Sequence, residues 1–579
     1  MGASKEYDLV IVGAGLAGLT AAYTLKKLKP KTSILVIERS GTAGGLTGNW
    51  VDHRLGTNKK LQMPMHMIFN KYVNLVPLVE EIGGEMTPVF PGFTIITGDE
   101  VRHRLEMNDW TSRHLPPPFH SLGMFAKLKL PLRSKWGMMK LAAVATYCAD
   151  KISHGIVEPP AVPNTLSLEG LGLLLHMDAR SRHFMEAVTP SIYNTHPWYT
   201  SAPRIATVMA GTMTLHRNAL HYRVFAKNYN SAFIDRFVEK IRRIGVEFRF
   251  WTEARRLESD TEGQKIKSVW IKSYGPEAAG SSRYMCDNCG AENYSLDRAF
   301  CTRCGVNTTL SRTRAGQINK PASENLWENP AEAGCEEIRC HDLITAVYPH
   351  MIAPLLPDNS PLRRHAVVRS YFSSRGSQTQ LSIARVYYGK SVTDEREITG
   401  THNPSFAFNG CQSVFNNFGA EDLGHRGDVI DVLLDVGIIQ DAWNREEIVQ
   451  RIIKDLNRVY PAAKPSLVEN VSFAKIHPKV LYLTEQTAIT GLHRSFNTHR
   501  TGVSNWYVAG CHSGMIGIGM ESAVESGLAT VNCLLEDAGQ AERAEIRPYT
   551  VPLGSHLLGL FGRALLVWKG HALGLQRLR

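Results

Sequence analysis

Nowhere in these 579 residues do about 18 apolar residues follow one another without a charge, so no segment reads as a membrane-spanning helix. The opening residues, MGASKEYDLVIVGAG, lack a basic stretch leading into a long apolar one, which argues against a secretory leader. Glu6 occupies the position where a myristoylation signal after Gly2 requires Ser or Thr. Internal repeats and long low-complexity tracts are missing. So are a Ser-His-Asp order and a paired-acid motif. Charged residues make up only 21% against 43% hydrophobic, an ordinary globular balance. That excludes a disordered tail protein, a collagen-like fibre and a disulfide-held mini-scaffold. The length corresponds to roughly four average domains, or to one large two-domain enzyme with insertions. A core is attainable at this size without covalent staples.

Positive charge is in excess, with a net of +11, and its placement is uneven. Between Val101 and Lys140 there are eight basic and two acidic residues. From Val551 to Arg579 there are four basic residues and no acid. Both stretches also carry large apolar side chains. Nucleic-acid binders usually interleave basic residues with polar and aromatic ones, so no nucleic-acid partner is expected. Basic combined with apolar points to an anionic membrane surface. On a helical wheel with Leu557 at zero, Leu560, Phe561, Ala564, Trp568 and Leu575 fall within about 60°, while Arg563, Lys569 and Arg577 fall on the far side. The expectation is a helix lying in the membrane interface, with a helix docked on the protein's own core as the alternative.

Tyr7 to Val12 is a short apolar run ending in glycines, the pattern of a buried parallel strand. Leu19 to Leu28 has helical spacing and stops before Pro30, and Ser33 to Glu38 is a second buried strand. Between strand and helix lies Gly13-Ala14-Gly15-Leu16-Ala17-Gly18, a G-x-G-x-x-G sequence. Gly13 permits the tight turn, Gly15 lets a pyrophosphate approach the backbone, and Gly18 lets helix and strand pack closely. Glu38 follows twenty residues after Gly18, where a carboxylate accepts ribose hydroxyls. The motif alone does not choose between FAD and NAD. Gly41-Thr42-Ala43-Gly44-Gly45-Leu46, directly after Glu38-Arg39, is a second glycine turn of the kind FAD proteins carry near the pyrophosphate; otherwise it is a surface loop.

Lys265 to Lys272 and Glu337 to Thr345 read as partner strands separated by about 65 residues, far beyond a normal hairpin loop. The gap holds Cys286-x2-Cys289 and Cys301-x2-Cys304, each pair followed by glycine. Four thiolates at this spacing form a closed tetrahedral site, so a structural Zn2+ is expected, with iron or two disulfides as alternatives. A thiolate cluster also implies a reducing compartment. The expected localisation is therefore cytoplasmic and peripheral to the membrane. Within the insert, Arg283, Arg298 and Arg303 are offset by Asp287, Glu292 and Asp297, which argues against a nucleic-acid-binding ribbon. Asn505 to Ala509 is a further buried strand, followed by a glycine-rich turn and a helix from about Met520 to Leu535.

VIVGAGLAGLTAA followed by VIERSGTAGGL resembles the flavin-containing amine oxidase and carotene desaturase superfamily. Met65-His66-Met67-Ile68-Phe69-Asn70-Lys71-Tyr72-Val73-Asn74 resembles a segment of plant and cyanobacterial phytoene and zeta-carotene desaturases. Leu115-Pro116-Pro117-Pro118-Phe119 resembles their proline-rich membrane-contact region. Trp506 to Gly510 and Gly519 to Gly527 resemble their closing flavin motif. The similarity spans about Tyr7 to Glu536, the insert excepted. It implies an α/β fold: a Rossmann-like FAD-binding domain of the amine-oxidase type, interleaved with an α+β substrate domain and interrupted by a small zinc-ribbon. The family's FAD-contacting positions map onto Ala17, Glu38, Arg39, Leu46, His66, Met67, Tyr72 and Met520, with Gly13, Ala14, Gly15, Gly18, Gly45, Gly510 and Cys511 completing the cofactor set. His66 is either such a contact, through its backbone more than its ring, or a core histidine. Cys511 stands where many relatives carry Asp and zeta-carotene desaturases carry Ser.

The domain division that follows assigns 1–100, 226–272, 337–360 and 491–540 to the FAD-binding domain. Residues 101–225 and 361–490 form the substrate and membrane-contact part, 273–336 the zinc-ribbon and 551–579 the membrane helix. The expected activity is FAD-dependent desaturation of a long apolar isoprenoid or carotene at the membrane, with hydride passing to flavin and electrons to a membrane quinone. The alternatives are another substrate on the same fold (squalene-type, amine or porphyrinogen) or a flavin-dependent carotene isomerase. Either way the flavin carries the chemistry, and no catalytic side chain is assigned.

Overall fold

The computed structural model describes residues 5–45, 50–51, 60–61, 67–89, 92–154, 156, 159–160, 162–163, 165–193, 196–198, 200–217, 220–273, 283–285, 292–294, 334–357, 359–373, 382–402, 405–434, 445–475, 499–514, 519–548 and 550–572. The apolar runs at the N-terminus become β1 (Glu6–Val12) and β2 (Ile34–Ile37), joined through helix α1 (Leu16–Leu28). The helix begins three residues earlier than its spacing suggested. Gly15 is its N-cap, so Leu16, Ala17 and Gly18 form the first turn directly after the glycine motif. Next come α2 (Leu75–Ile82) and a hairpin of β3 (Phe93–Ile96) and β4 (Arg102–Leu105). The basic, proline-broken region then gives the long helix α3 (Leu132–Ser153), followed by α4 (Ala179–Tyr193) and α5 (Ala202–Ala210).

Four more strands complete the first sheet's middle: β5 (Glu247–Arg249), β6 (Thr252–Ser259), β7 (Ile266–Ser273) and β8 (Glu336–Thr345). The second sheet adds β9 (Ser382–Tyr388), β10 (Thr399–Thr401), β11 (Phe408–Ser413), β12 (Val429–Leu434) and β13 (Val468–Lys475). The chain closes with β14 (Trp506–Val508), α6 (Gly519–Asp537) and α7 (Leu553–Ala572).

The first sheet has the order β5-β2-β1-β8-β7-β6, and β14 also pairs with β8. β1 is parallel to both β2 and β8, and β14 is parallel to β8. β8 is shared along its length: Glu336 to Arg339 pair with β7, and Leu343 to Thr345 with β14. The antiparallel register Ser268↔Arg339 and Ile271↔Glu336 is the long-range pairing read from the sequence. The insert therefore leaves and returns at one end of a hairpin. Within it, residues 283–285 and 292–294 form a short antiparallel ladder with Met285 opposite Glu292. Cys286 and Cys289 fall in the link between these strands and, with Cys301 and Cys304, lie outside the described residues.

The second sheet runs β13-β9-β12-β11-β10-β3-β4, with only the β10–β3 pair parallel. Its interior carries an ion pair: Arg385 on β9 sits opposite Asp431 on β12 and donates to it through Nε at 2.6 Å and Nη2 at 2.8 Å. Both residues are buried, and the two-pronged geometry satisfies charges that would otherwise be costly there.

Helix α7 docks on α3 through small residues. Gly559 and Gly562 lie so near it that a Cβ would sit 3.3 Å from the Tyr147 backbone and 2.4 Å from Ala143 O. Ser555 and Leu566 are buried in the same stripe, and Ser555 donates to Thr214 O at 2.6 Å. The large apolar side chains face the other way: Leu553, Leu557, Leu560, Phe561 and Trp568 are all exposed, Trp568 by 63%. The wheel separated Leu557 and its neighbours from Arg563 correctly. What faces the protein is the glycine and serine stripe half a turn from Leu557, a surface that hydrophobicity alone does not mark.

Candidate flavin site

The glycine turn is built as its spacing required. Gly13 adopts φ +109°, and a Cβ there would lie 2.7 Å from Ala346 O, so only glycine makes this turn. A Cβ on Gly18 would meet Gly13 O at 2.1 Å, which lets α1 spring directly from β1. No side chain caps α1 at Gly15 and its first turn has no acid, so its leading amides face outward as donors for an anion. The second glycine turn folds onto the first: Gly15 and Gly44 form a parallel bridge, Gly44 N donates to Ala14 O at 2.9 Å, and Gly45 lies against Gly15.

Glu38 ends β2 and is 8% exposed. Its Oε2 accepts from Ala14 N at 2.8 Å, and its Oε1 accepts from Ser40 N and Ser40 Oγ, both at 2.9 Å. A carboxylate has about four acceptor positions, so it can tie the turn together and still receive a ribose hydroxyl. Arg39 follows, half-buried. Ala17 is buried in the first turn of α1. The donors, the close backbone approach and the buried acid fit the adenosine and pyrophosphate end of a dinucleotide.

The closing segment reaches the same place from the far end of the chain. Helix α6 packs along α1, and Gly527 is the point of contact: a Cβ there would stand 2.7 Å from Ala17 O and 2.9 Å from Thr20 Cβ. Gly510 N donates to Ser526 Oγ at 2.9 Å. Cys511 is half-buried with its Sγ 3.3 Å from Tyr348 Oη, and the Tyr348 ring lies 5.8 Å from that of His512. Burial pushes His512 down to about 3, so its ring stays neutral. Met520 is buried in the main core, and Met67 packs against the same core while half-exposed. Tyr72 is buried with its ring edge on Phe69 at 5.6 Å. Leu46 and His66 lie outside the described residues.

Two charged residues in these segments escaped the sequence reading. Lys71 is 1% exposed and donates to Val208 O on α5 at 2.7 Å. Burial lowers its amine to about 7. Glu521, fully buried, accepts from Asn74 N at 2.9 Å, Asn74 Nδ2 at 3.0 Å and Leu75 N at 2.8 Å, capping α2; burial raises it to about 7. A lysine inside an otherwise apolar run was the available signal. Among the aromatics of the middle of the chain, Phe225 is core, with its ring 4.6 Å from Tyr229 and 5.6 Å from Phe233. Trp198 is half-exposed and stacks on His196 at 4.2 Å. The side chains of Tyr193 and Tyr199 lie outside the described residues.

Residues 11–82 match the family described as NAD(P)-binding Rossmann-like domain, and residues 390–535 match flavin containing amine oxidoreductase. Among curated proteins, thiamine thiazole synthase of Candida albicans is 45% identical over 65 residues, 11% of this chain and 18% of that protein. Its counterpart in Aspergillus fumigatus is 36% identical over 91 residues, 16% and 24% of the two chains. The chain thus spans about a fifth of the length of these relatives. Solved structures match far more completely. Putrescine oxidase bound to putrescine superimposes with a TM-score of 0.57 at 16% identity, covering 92% of this chain and 99% of that one. Cyclohexylamine oxidase from Brevibacterium oxydans gives 0.53 at 13%, covering 92% and 100%. At such identities the likeness establishes the fold. With the glycine turn, Glu38 and the closing segment in one site, the chain carries a Rossmann-like FAD-binding domain within an amine-oxidase-type fold, and its residues 390–535 are similar to flavin containing amine oxidoreductases.

Proposed function

We infer that the protein is an FAD-dependent oxidoreductase that works at a membrane surface and dehydrogenates a long apolar isoprenoid of the carotene type. The observation that carries this reading is the outward apolar face of α7. Leu557, Leu560, Phe561 and Trp568 point away from the protein, and Phe561 lies 6.5 Å from Trp136 on α3, itself 55% exposed. Trp110, Phe119 and Leu132, exposed in the neighbouring segments, extend the apolar surface, and Gly554 of α7 abuts Pro117. Exposed Arg113, Lys127, Lys129, Arg133 and Arg563 lie in the same segments. Apolar contiguity with a basic rim is what an anionic bilayer surface binds. Among the described residues no helix is long and apolar enough to cross a membrane, which fits attachment in the plane of the interface.

Behind α3 lies a small, mostly apolar gap lined by Phe125, Met138, Leu141, Met209, Met213 and Thr214. When bound, FAD supplies a hydride acceptor. The protein's part is to hold it through Glu38 and the glycine turns, to align the chain and to keep water out. A membrane quinone is the electron acceptor consistent with this location, and the four insert cysteines would hold a structural Zn2+. The structural likeness to putrescine and cyclohexylamine oxidases favours a second reading, the same flavin chemistry on an amine.

Two measurements test this. In flotation with phosphatidylglycerol vesicles, the wild-type chain should float and Leu557→Glu/Phe561→Glu/Trp568→Glu should stay at the bottom with an unchanged melting temperature, since these side chains support no core. Unchanged flotation removes the membrane reading. Anaerobic mixing with a carotene or with putrescine then shows which substrate bleaches the oxidised flavin band. Bleaching by the amine alone overturns the isoprenoid, and polyene turnover that needs reduced flavin and adds no double bond favours an isomerase.

A further inference from the structure

His183 and Glu186 lie one helical turn apart on α4, and His402 lies just beyond β10. The Glu186 carboxylate accepts from His402 Nε2 at 2.8 Å. The His183 and His402 rings are 5.2 Å apart, inclined by 57°. One donor atom from each of the three residues lies within 4.8 Å of the other two. His402 is 6% exposed, and its Nδ1 has no hydrogen-bond partner among the described residues. His183 is exposed and Glu186 half-buried, so the cluster opens to solvent on one side. A hydrogen bond accounts for Glu186 and His402 but gives no reason for a second imidazole at the same point. Neighbouring Arg182 is engaged with Glu169 at 2.6 Å, and its charge also acts on the Glu186 carboxylate alongside the two histidines.

We propose that His183, Glu186 and His402 form a binding site for a divalent cation of the zinc class. Two neutral imidazoles and one carboxylate are a donor set of the kind that binds this metal, with three protein ligands and the fourth position left to water. Zinc distances of about 2.0–2.2 Å put tetrahedral donors roughly 3.3–3.6 Å apart. The Glu186–His402 pair, at 2.8 Å, opens by about half an ångström, and separations toward the 4.8 Å limit close by about one, a movement the exposed His183 side chain makes by rotating. The i, i+3 spacing on α4 presents two ligands on one face, and the third comes from the second sheet. A bound ion would clamp α4 to the end of β10. The site is separate from the insert cysteines and from the glycine turns, and it does not depend on the substrate assigned to the enzyme.

The test uses the untagged full chain carrying Cys286→Ser/Cys289→Ser/Cys301→Ser/Cys304→Ser, so that the insert thiolates contribute no metal. Calorimetric titration with Zn2+ near neutral pH should give one equivalent. Co2+ should give visible bands without thiolate charge transfer. His183→Ala and Glu186→Gln should each weaken Zn2+ binding by more than about tenfold and abolish the rise in melting temperature that Zn2+ produces. His183 is exposed, so its variant should fold normally without metal. If the cysteine background fails to fold, the wild-type insert is kept, and His183→Ala should lower total metal by one equivalent per chain. No Zn2+ uptake in the folded background, or uptake indifferent to both variants, overturns the site.

Discussion

Removing the Glu38 carboxylate is the most direct perturbation of the nucleotide site. In Glu38→Ala, the hydrogen bonds from Ala14 N, Ser40 N and Ser40 Oγ lose their acceptor together. Ser40 is half-exposed and turns to water at little cost. Ala14 is fully buried, so its amide is left without an acceptor at a cost of about 1–3 kcal/mol to the fold. A bound ribose loses a charged acceptor worth about 1.5–3 kcal/mol, which is roughly 10- to 150-fold in affinity. Glu38→Gln separates the two effects: its amide oxygen still accepts from Ala14 N, so the melting temperature should recover while FAD binding recovers only in part. The assays are the flavin content of purified protein, FAD titration of the stripped chain, and thermal melts. If Glu38→Ala purifies with one FAD per chain and unchanged affinity, the carboxylate is not at the ribose and the site as described is wrong.

Gly527→Val should lower the melting temperature and FAD retention together. Its side chain must enter a space bounded by Ala17 O at 2.7 Å and Thr20 Cβ at 2.9 Å, an overpacking cost of about 1–3 kcal/mol or more; a normal melt would mean α6 does not pack on α1 this way. Acid should destabilise the protein before its ordinary carboxylates titrate. Burial lowers His120, His216 and His499 to about 4 and His512 to about 3, from an ordinary 6.5. Between about 6.5 and 4 the unfolded chain therefore binds protons that the folded chain refuses, and stability falls as pH falls, by up to about 1.4 kcal/mol per pH unit for each histidine. Glu521, raised to about 7, and Asp342, raised to about 6, act in the opposite sense but are fewer. Urea unfolding across this window should show the loss, and His120→Gln should flatten it; a stability independent of pH there refutes the neutral buried histidines. Finally, metal analysis should find that Cys286→Ser/Cys301→Ser removes about one zinc per chain, as a four-thiolate site requires. Reduced protein holding neither zinc nor iron would leave the insert without its ion.

The β1–α1–β2 unit and its acid were legible because every part is local. A buried strand, three glycines at fixed offsets, a helix and a carboxylate follow one another within 38 residues, and each rests on backbone sterics or burial. The β7–β8 pairing was legible across a long gap, because both segments carried strand patterns that only pairing satisfies. Lys71 and Glu521 were hidden for the opposite reason. Glu521 meets Asn74 across 447 residues of chain, and no local pattern says that a charge on a closing helix will cap another helix.

The C-terminal helix divides the two kinds of information most clearly. Its periodicity, its apolar stripe and its separation from Arg563 follow from residue spacing and were determined by the sequence alone. Whether that stripe turns inward or outward was decided by the tertiary structure, because the glycine and serine stripe allows closer contact with α3 than any leucine face could. The same holds for His183, Glu186 and His402. The helix pair is visible as a spacing, but the third residue stands 216 positions from Glu186, and only the packing of α4 against the second sheet brings the three together.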